Sequence, residues 1–185
     1  MVTIAISGLH GAGKTTAAKA LVKRFGLRYI SAGTIFREMA KERGMSLDEF
    51  SRYVERHPEV DRQIDRRTAD EARKGDVIID ARLAGWMAKD ADVKILLKAP
   101  LKLRVKRIAR RERRRYGEVL VETRRRERSE ARRFKRFYGI DVSDYSAFDL
   151  VLNTERWSSG EMAEILELAV GFISKKKSHK QCGND

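Results

Sequence analysis

The sequence has almost no cysteine. Cys182 is the single one in 185 residues, so the chain can form neither an internal disulfide nor a cysteine-based zinc cluster. Long apolar runs are missing too. Nothing approaches the roughly 20 residues that cross a bilayer as a helix, and the mean hydropathy is −0.54. The first residues carry no basic stretch followed by an apolar segment and a cleavage site, so no secretory signal is expected. These absences point to a cytoplasmic protein. Asn and Gln are scarce while charged residues reach 37%, a balance found in heat-adapted proteins. Proline occurs only twice, at Pro58 and Pro100, and both suit the first turn of a helix.

What is abundant is positive charge. The formal net charge is +14 and the sequence pI about 10.1, which implies anionic partners such as nucleotides, nucleic acid or an acidic surface. Hydrophobic residues make up 42%, enough for one buried core.

The pattern of elements is alternating. Residues 2–7 predict a buried strand, Lys14–Phe25 a helix stopped by Gly26, and Arg28–Ser31 a second strand. Ser46-Leu47-Asp48-Glu49 has the form of a capping box, and Pro58 opens a helix toward Lys74. Val77–Asp80, residues 93–97 and residues 149–153 predict three more strands. Pro100 opens a helix before an arginine-dense stretch that Gly117 interrupts, and helix resumes over about 118–137. A last capped helix runs over about 158–174, and residues 175–185 predict a disordered tail. Strands separated by helices mean parallel strands and right-handed crossovers. The expected fold is therefore α/β: an open sheet of about five parallel strands with helices on both faces, within one domain over residues 1–174.

Gly8-Leu9-His10-Gly11-Ala12-Gly13-Lys14-Thr15 fits G-x-x-x-x-G-K-[ST], between a predicted strand and a predicted helix. Each residue type has a task. The glycines let the backbone wrap closely around phosphate, successive N–H groups form an anion nest, and the helix offers its positive end. Lys14 brings charge to the β- and γ-phosphates, and the Thr15 hydroxyl suits Mg²⁺. His10 reads as a variable surface residue of the loop.

Downstream residues must say what receives the phosphoryl group. Asp80 ends an apolar strand, at the sheet edge where ligands bind in such folds. There it can hold a Mg²⁺-bound water or position the acceptor, and Arg82 can grip an acceptor phosphate. After the second strand, the small residues Ser31-Ala32-Gly33 leave space. Thr34 can cap the next helix, Phe36 can stack on a base or pack in the core, and Arg37 can pair with phosphate. The arginines from Arg104 to Arg136 admit three readings: a solvated face with Glu–Arg pairs, an RNA-binding surface, or a lid that closes over the nucleotide phosphates.

Together these residues resemble a cytidylate kinase of the archaeal type, within the P-loop nucleoside monophosphate kinase group. The resemblance is carried by the P-loop, Ser31-Ala32-Gly33 with Phe36-Arg37, Asp80-x-Arg82-Leu83-x-x-Trp86, and Arg104, Arg107 and Arg111. Arg128-Ser129-Glu130, Arg132-Arg133, Tyr138-Gly139-Ile140-Asp141 and the segment from Tyr145 to Thr154 complete it. It implies the three-layer P-loop NTPase fold with a monophosphate-binding insert near residues 34–70 and an arginine-rich lid near 107–136. It implies ATP + CMP ⇌ ADP + CDP with Mg²⁺, and dCMP as a further acceptor. Carried onto these positions, Gly8, Leu9, His10, Gly11, Ala12, Gly13, Lys14, Thr15 and Thr16 would bind ATP. Ser31, Arg37, Arg82, Arg128 and Asp149 would contact CMP, and Arg107, Arg111 and Arg132 would act with Lys14 on the transferring group. The expected partners are ATP and CMP, with neither membrane nor nucleic acid required and the chain acting as a monomer.

Overall fold

Five parallel strands form the sheet: β1 (Thr3–Gly8), β2 (Arg28–Ser31), β3 (Val77–Asp80), β4 (Val93–Lys98) and β5 (Leu150–Asn153). Their spatial order is β2-β3-β1-β4-β5. The computed structural model describes residues 2–181, with side chains as far as residue 173. Register brings the functional ends together: Asp80 lies opposite Ile6 on one side and Ser31 on the other. The carboxyl ends of the three strands therefore share one edge, where α/β sheets bind ligands.

The strand alternation decides which face carries the main core. Ile4 and Ile6 of β1, Ile78 of β3, and Val93, Ile95 and Leu97 of β4 point one way. They pack on Ala17, Ala18 and Leu21 of α1 (Lys14–Phe25) and on Met162, Leu166 and Val170 of α8 (Ser159–Gln181). On the other face Ala5, Val77 and Ile79 pack on Ala84.

Three helices between β2 and β3 form their own apolar cluster: α2 (Ala32–Glu42), α3 (Leu47–Arg56) and α4 (Pro58–Arg73). Ile35, Met39, Phe50, Val54, Val60 and Ile64 are buried together there. Phe50 is fully buried, so its truncation to Ala costs about 3–5 kcal/mol. Phe36 meets it edge-on at 4.7 Å between ring centroids, so the ring has a core role. Ser46 and Glu49 form the expected capping box, and Pro58 begins α4. Ser31, not Thr34, caps α2: its hydroxyl accepts from the Thr34 N–H at 3.2 Å.

The arginine-rich stretch is two helices, α6 (Leu101–Glu112) and α7 (Tyr116–Tyr138), joined through Val105, Ile108, Ala109 and Val119. The break falls at residues 113–115 and not at Gly117, because Arg113 adopts the left-handed conformation (φ 53°). The N–H groups of Arg113 and Arg114 then both satisfy the Ala109 carbonyl, an ending that closes the helix locally. Gly117 sits in the first turn of α7, where a helix tolerates it. A short helix α5 (Ala84–Met87) was not expected. It is held by the Gly85 N–H, which donates to the buried Ser7 hydroxyl at 2.9 Å. The last helix runs on to Gln181, past the expected end near residue 174. Cys182 and the rest of the expected tail lie outside the described residues.

Candidate active site

The turn between β1 and α1 has the positive-φ glycines that the phosphate-binding motif calls for. Gly8 (φ 149°) and Gly11 (φ 77°) are needed for space as well as conformation. A Cβ on Gly8 would lie 2.4 Å from the Leu97 carbonyl oxygen, and one on Gly11 would lie 2.6 Å from that of Arg104. Lys14 curls back over the loop and donates to the carbonyls of Gly8 (2.9 Å) and Leu9 (3.3 Å). Burial pulls its pKa from 10.5 to about 8, although the Asp80 carboxylate beside it favours the charged form.

Thr15 and Asp80 meet at the mouth of this turn. The Thr15 hydroxyl donates to Asp80 Oδ2 at 3.0 Å, and the Tyr29 hydroxyl donates to the same oxygen at 2.9 Å. Asp80 is 3% exposed. Tyr29 was absent from the sequence expectations.

A crevice of about 980 Å³ opens from this cradle. It is lined by Lys14, Thr15, Ser31, Arg37, Asp80 and Arg82, and on its other walls by Asp61, Asp65, Arg107, Arg111, Arg126 and Arg133. Arg37 donates to the Thr34 hydroxyl at 2.9 Å. Arg82 donates from Nε to Glu130 at 2.8 Å, and the other Glu130 oxygen bonds His10 Nε2 at 2.8 Å. His10 is therefore not a free surface residue; it ties the cradle to α7. Burial pushes His10 down to about 4, so the ring is neutral near pH 7 and donates from Nε2. Burial alone would raise Glu130, but His10, Arg82 and Arg126 around it hold its carboxyl well below the usual range.

α6 braces the cradle from behind. Arg104 is buried; it donates to the Ala99 carbonyl (2.9 Å) and the His10 carbonyl (3.0 Å), and it pairs with Glu127 of α7. Arg107 donates to the Thr154 hydroxyl (2.9 Å) and carbonyl (2.8 Å), and weakly to Gly11 (3.4 Å). Arg107 thus lines the crevice while fixing the loop. Arg111 stands at the rim, 64% exposed and paired with Glu112 at 2.6 Å.

Three expected residues are elsewhere. Arg128 and Arg132 lie on the outer side of α7 with Val121, Arg124 and Arg125, and Arg132 reaches Glu55 of α3 at 3.3 Å. Helical geometry decides this: Val119, Thr123, Arg126, Glu130 and Arg133 recur every three or four residues on the inner side. That period was legible in the sequence and would have selected Arg126 and Arg133. Asp149 lies at the amino-terminal edge of the sheet, where its carboxylate accepts from the Lys94 N–H at 2.7 Å. It closes the β4–β5 ladder and is far from the carboxyl edge.

The inner face adds groups that sequence reasoning missed. Arg133 donates to Asp61 at 2.8 Å and to the Ser129 hydroxyl at 2.7 Å. Asp61 is shifted upward by burial, with Arg133 opposing. Arg126 lies over the Phe36 ring at 5.9 Å, and its buried Nε has no hydrogen-bond partner among the described residues.

This geometry has known relatives. The sequence model of the cytidylate kinase-like family matches residues 3–156. The chain belongs to that family. It is 46% identical over 170 residues to the cytidylate kinase of Pyrococcus horikoshii, covering 92% of this chain and 88% of that one. It is 48% identical over 176 residues to the cytidylate kinase of Staphylothermus marinus, covering 95% and 98%. Among solved structures it is similar to TT1252 from Thermus thermophilus, with a TM-score of 0.58 and 20% identity over 95% of this chain and 97% of that one. It is also similar to shikimate kinase from Acinetobacter baumannii, with a TM-score of 0.57 and 15% identity over 96% and 95%. These two likenesses establish the fold, and the family assignment rests on the sequence relatives.

Proposed function

We propose that the protein transfers the γ-phosphoryl group of ATP to CMP, and also to dCMP, giving ADP and the cytidine diphosphate. One observation carries the reading. The P-loop lysine and the two arginines Arg37 and Arg82 line a single crevice, in a chain whose relatives are cytidylate kinases. A donor cradle and an acceptor grip thus face each other across one space.

The donor phosphates lie in the nest of Gly8–Thr16 at the start of α1. An oxygen of the CMP phosphate attacks the γ-phosphorus, and the bond from that phosphorus to the β–γ bridging oxygen breaks. Lys14 leaves its two carbonyl partners for the phosphates and neutralises charge there. Arg37 and Arg82 hold the acceptor in line, and Arg107, Arg111 and Arg126 supply positive charge from the lid side. The acceptor is already an anion, so positioning and electrostatics do the work without a general base.

The donor set at Thr15 and Asp80 fits Mg²⁺. A hydroxyl and a carboxylate 3.0 Å apart are hard oxygen ligands beside the phosphate nest, and this ion is commonly held by one or two such groups plus substrate phosphates. Thr15 and Asp80 would hold the ion, which would supply positive charge to offset the negative charge that develops on the transferring phosphates.

All the groups invoked come from one chain, and a monomer is the proposed active unit. No helix among the described residues is long and apolar enough to cross a membrane, and the cytoplasm is the proposed compartment. The test is a coupled assay of ADP release with CMP, dCMP, UMP, AMP and shikimate as acceptors. CMP and dCMP should show the highest kcat/KM. Turnover of AMP or shikimate in place of CMP would overturn the assignment.

A further inference from the structure

The two oxygens of Glu130 serve two different parts of the site. Oε1 takes the bond from His10, inside the P-loop, and Oε2 takes the bond from Arg82, two residues after β3. The carboxylate is 9% exposed. Donation from Nε fixes the plane of the Arg82 guanidinium and leaves both terminal nitrogens for the crevice. Those nitrogens carry no hydrogen bond to another described residue. One turn earlier on α7, Glu127 pairs with Arg104, which donates to the His10 carbonyl. His10 is thus held from α7 by both its ring and its carbonyl.

We infer that Glu130 is a positioning residue for the acceptor phosphate: it aims Arg82 and, through His10, ties that aim to the donor loop. The inference rests on the acceptor reading above. A long arginine side chain loses rotamer freedom when it grips a ligand, and a partner that orients it beforehand removes that cost from binding. The Nε–carboxylate bond does this while sparing the two-pronged end that suits phosphate oxygens. Placing a carboxylate this close lowers the net charge of the grip. Charge attraction alone therefore gives no reason for Glu130, whereas orientation does.

The test is a kinetic cycle on the full chain: wild type, Glu130→Ala, Glu130→Gln, Arg82→Ala, and the doubles of each Glu130 variant with Arg82→Ala. KM for CMP, KM for ATP, kcat and the thermal midpoint are read for each. Glu130→Ala should raise KM for CMP about tenfold, the scale of one hydrogen bond to a charged group, while KM for ATP stays within about twofold. Glu130→Gln should stay within about threefold of wild type, because its amide oxygen still accepts from Arg82 and its N–H₂ can face a neutral His10. In the Arg82→Ala background, Glu130→Ala should add less than about twofold, because its target is gone. If Glu130→Ala does not fold, Glu130→Asp replaces it; one methylene shorter, it cannot span both partners and should show the same CMP defect. Equal Glu130 effects with and without Arg82 would overturn the inference. So would a Gln variant as impaired as the Ala variant, or a defect confined to ATP. Wild-type turnover of a different monophosphate would overturn the acceptor assignment instead, and the same cycle on that acceptor would still decide the role of Glu130.

Discussion

Arg104 is the most consequential arginine outside the crevice, and its removal has a size that can be worked out. Its side chain is 4% exposed, and its partner Glu127 is 16% exposed. Arg104→Met keeps the aliphatic volume but deletes the ion pair and the bonds to Ala99 and His10. Breaking a buried pair by removing one partner costs about 3–5 kcal/mol. Glu127 keeps some access to water, so the lower end, about 3 kcal/mol, applies. For a chain of this size each kcal/mol moves the thermal midpoint by about 2–4 °C, so the expected drop is about 6–12 °C. Adding Glu127→Gln removes the stranded charge and should restore about 1–2 kcal/mol. Urea and thermal unfolding of the two variants measure this. A loss below about 1 kcal/mol for Arg104→Met, or no recovery in the double variant, would refute the view that α7 is pinned to the P-loop through this pair.

Further outcomes follow from the site. Lys14, at about 8 in the free protein, must be charged to hold phosphates. ATP affinity should therefore be flat below pH 8 and weaken about tenfold per unit above it, and Lys14→Met should abolish that slope in a binding titration. The stability sign is the opposite. Folding lowers this pKa from 10.5, the native state holds fewer protons between about 8 and 10.5, and this residue's contribution to stability rises across that window. Asp80→Asn should raise the Mg²⁺ concentration for half-maximal rate about 10–100-fold, and an unchanged Mg²⁺ titration would remove Asp80 from the metal site. Arg128→Ala with Arg132→Ala should change kcat/KM for CMP by no more than about twofold, whereas Arg126→Ala should lower it at least about tenfold; the reverse ranking would put the outer face of α7 in the reaction.

The fold and the cradle were legible because their causes are local. A β-branched run ending in glycines, a lysine and a threonine at the first turn of a helix, and an apolar strand ending in Asp80 each act through near neighbours. The five strands, the helix Lys14–Phe25 and the Ser46–Glu49 cap were expected and are present. The break between α6 and α7 was misplaced because a backbone turn at Arg113 leaves no mark that outweighs a glycine four residues on. Asp149 was misassigned because its partner is the Lys94 backbone on a neighbouring strand, and pairing of that kind has no one-dimensional signature.

The arginines mark the division most clearly. The sequence alone determined that the chain carries a glycine-rich loop of the phosphate-binding type between a strand and a helix, and that a dense positive segment follows downstream. Which members of that segment face the crevice was decided by the helical turn of α7 and its contacts with α3 and α4. Arg128 and Arg132 turn outward, and Arg126, Glu130 and Arg133 turn inward. His10 and Glu130 stand 120 positions apart in the chain and 2.8 Å apart in space. A bond of that kind is set by the closure of the whole chain. The tertiary structure alone could therefore turn His10 from a loop residue into the tie between donor cradle and acceptor grip.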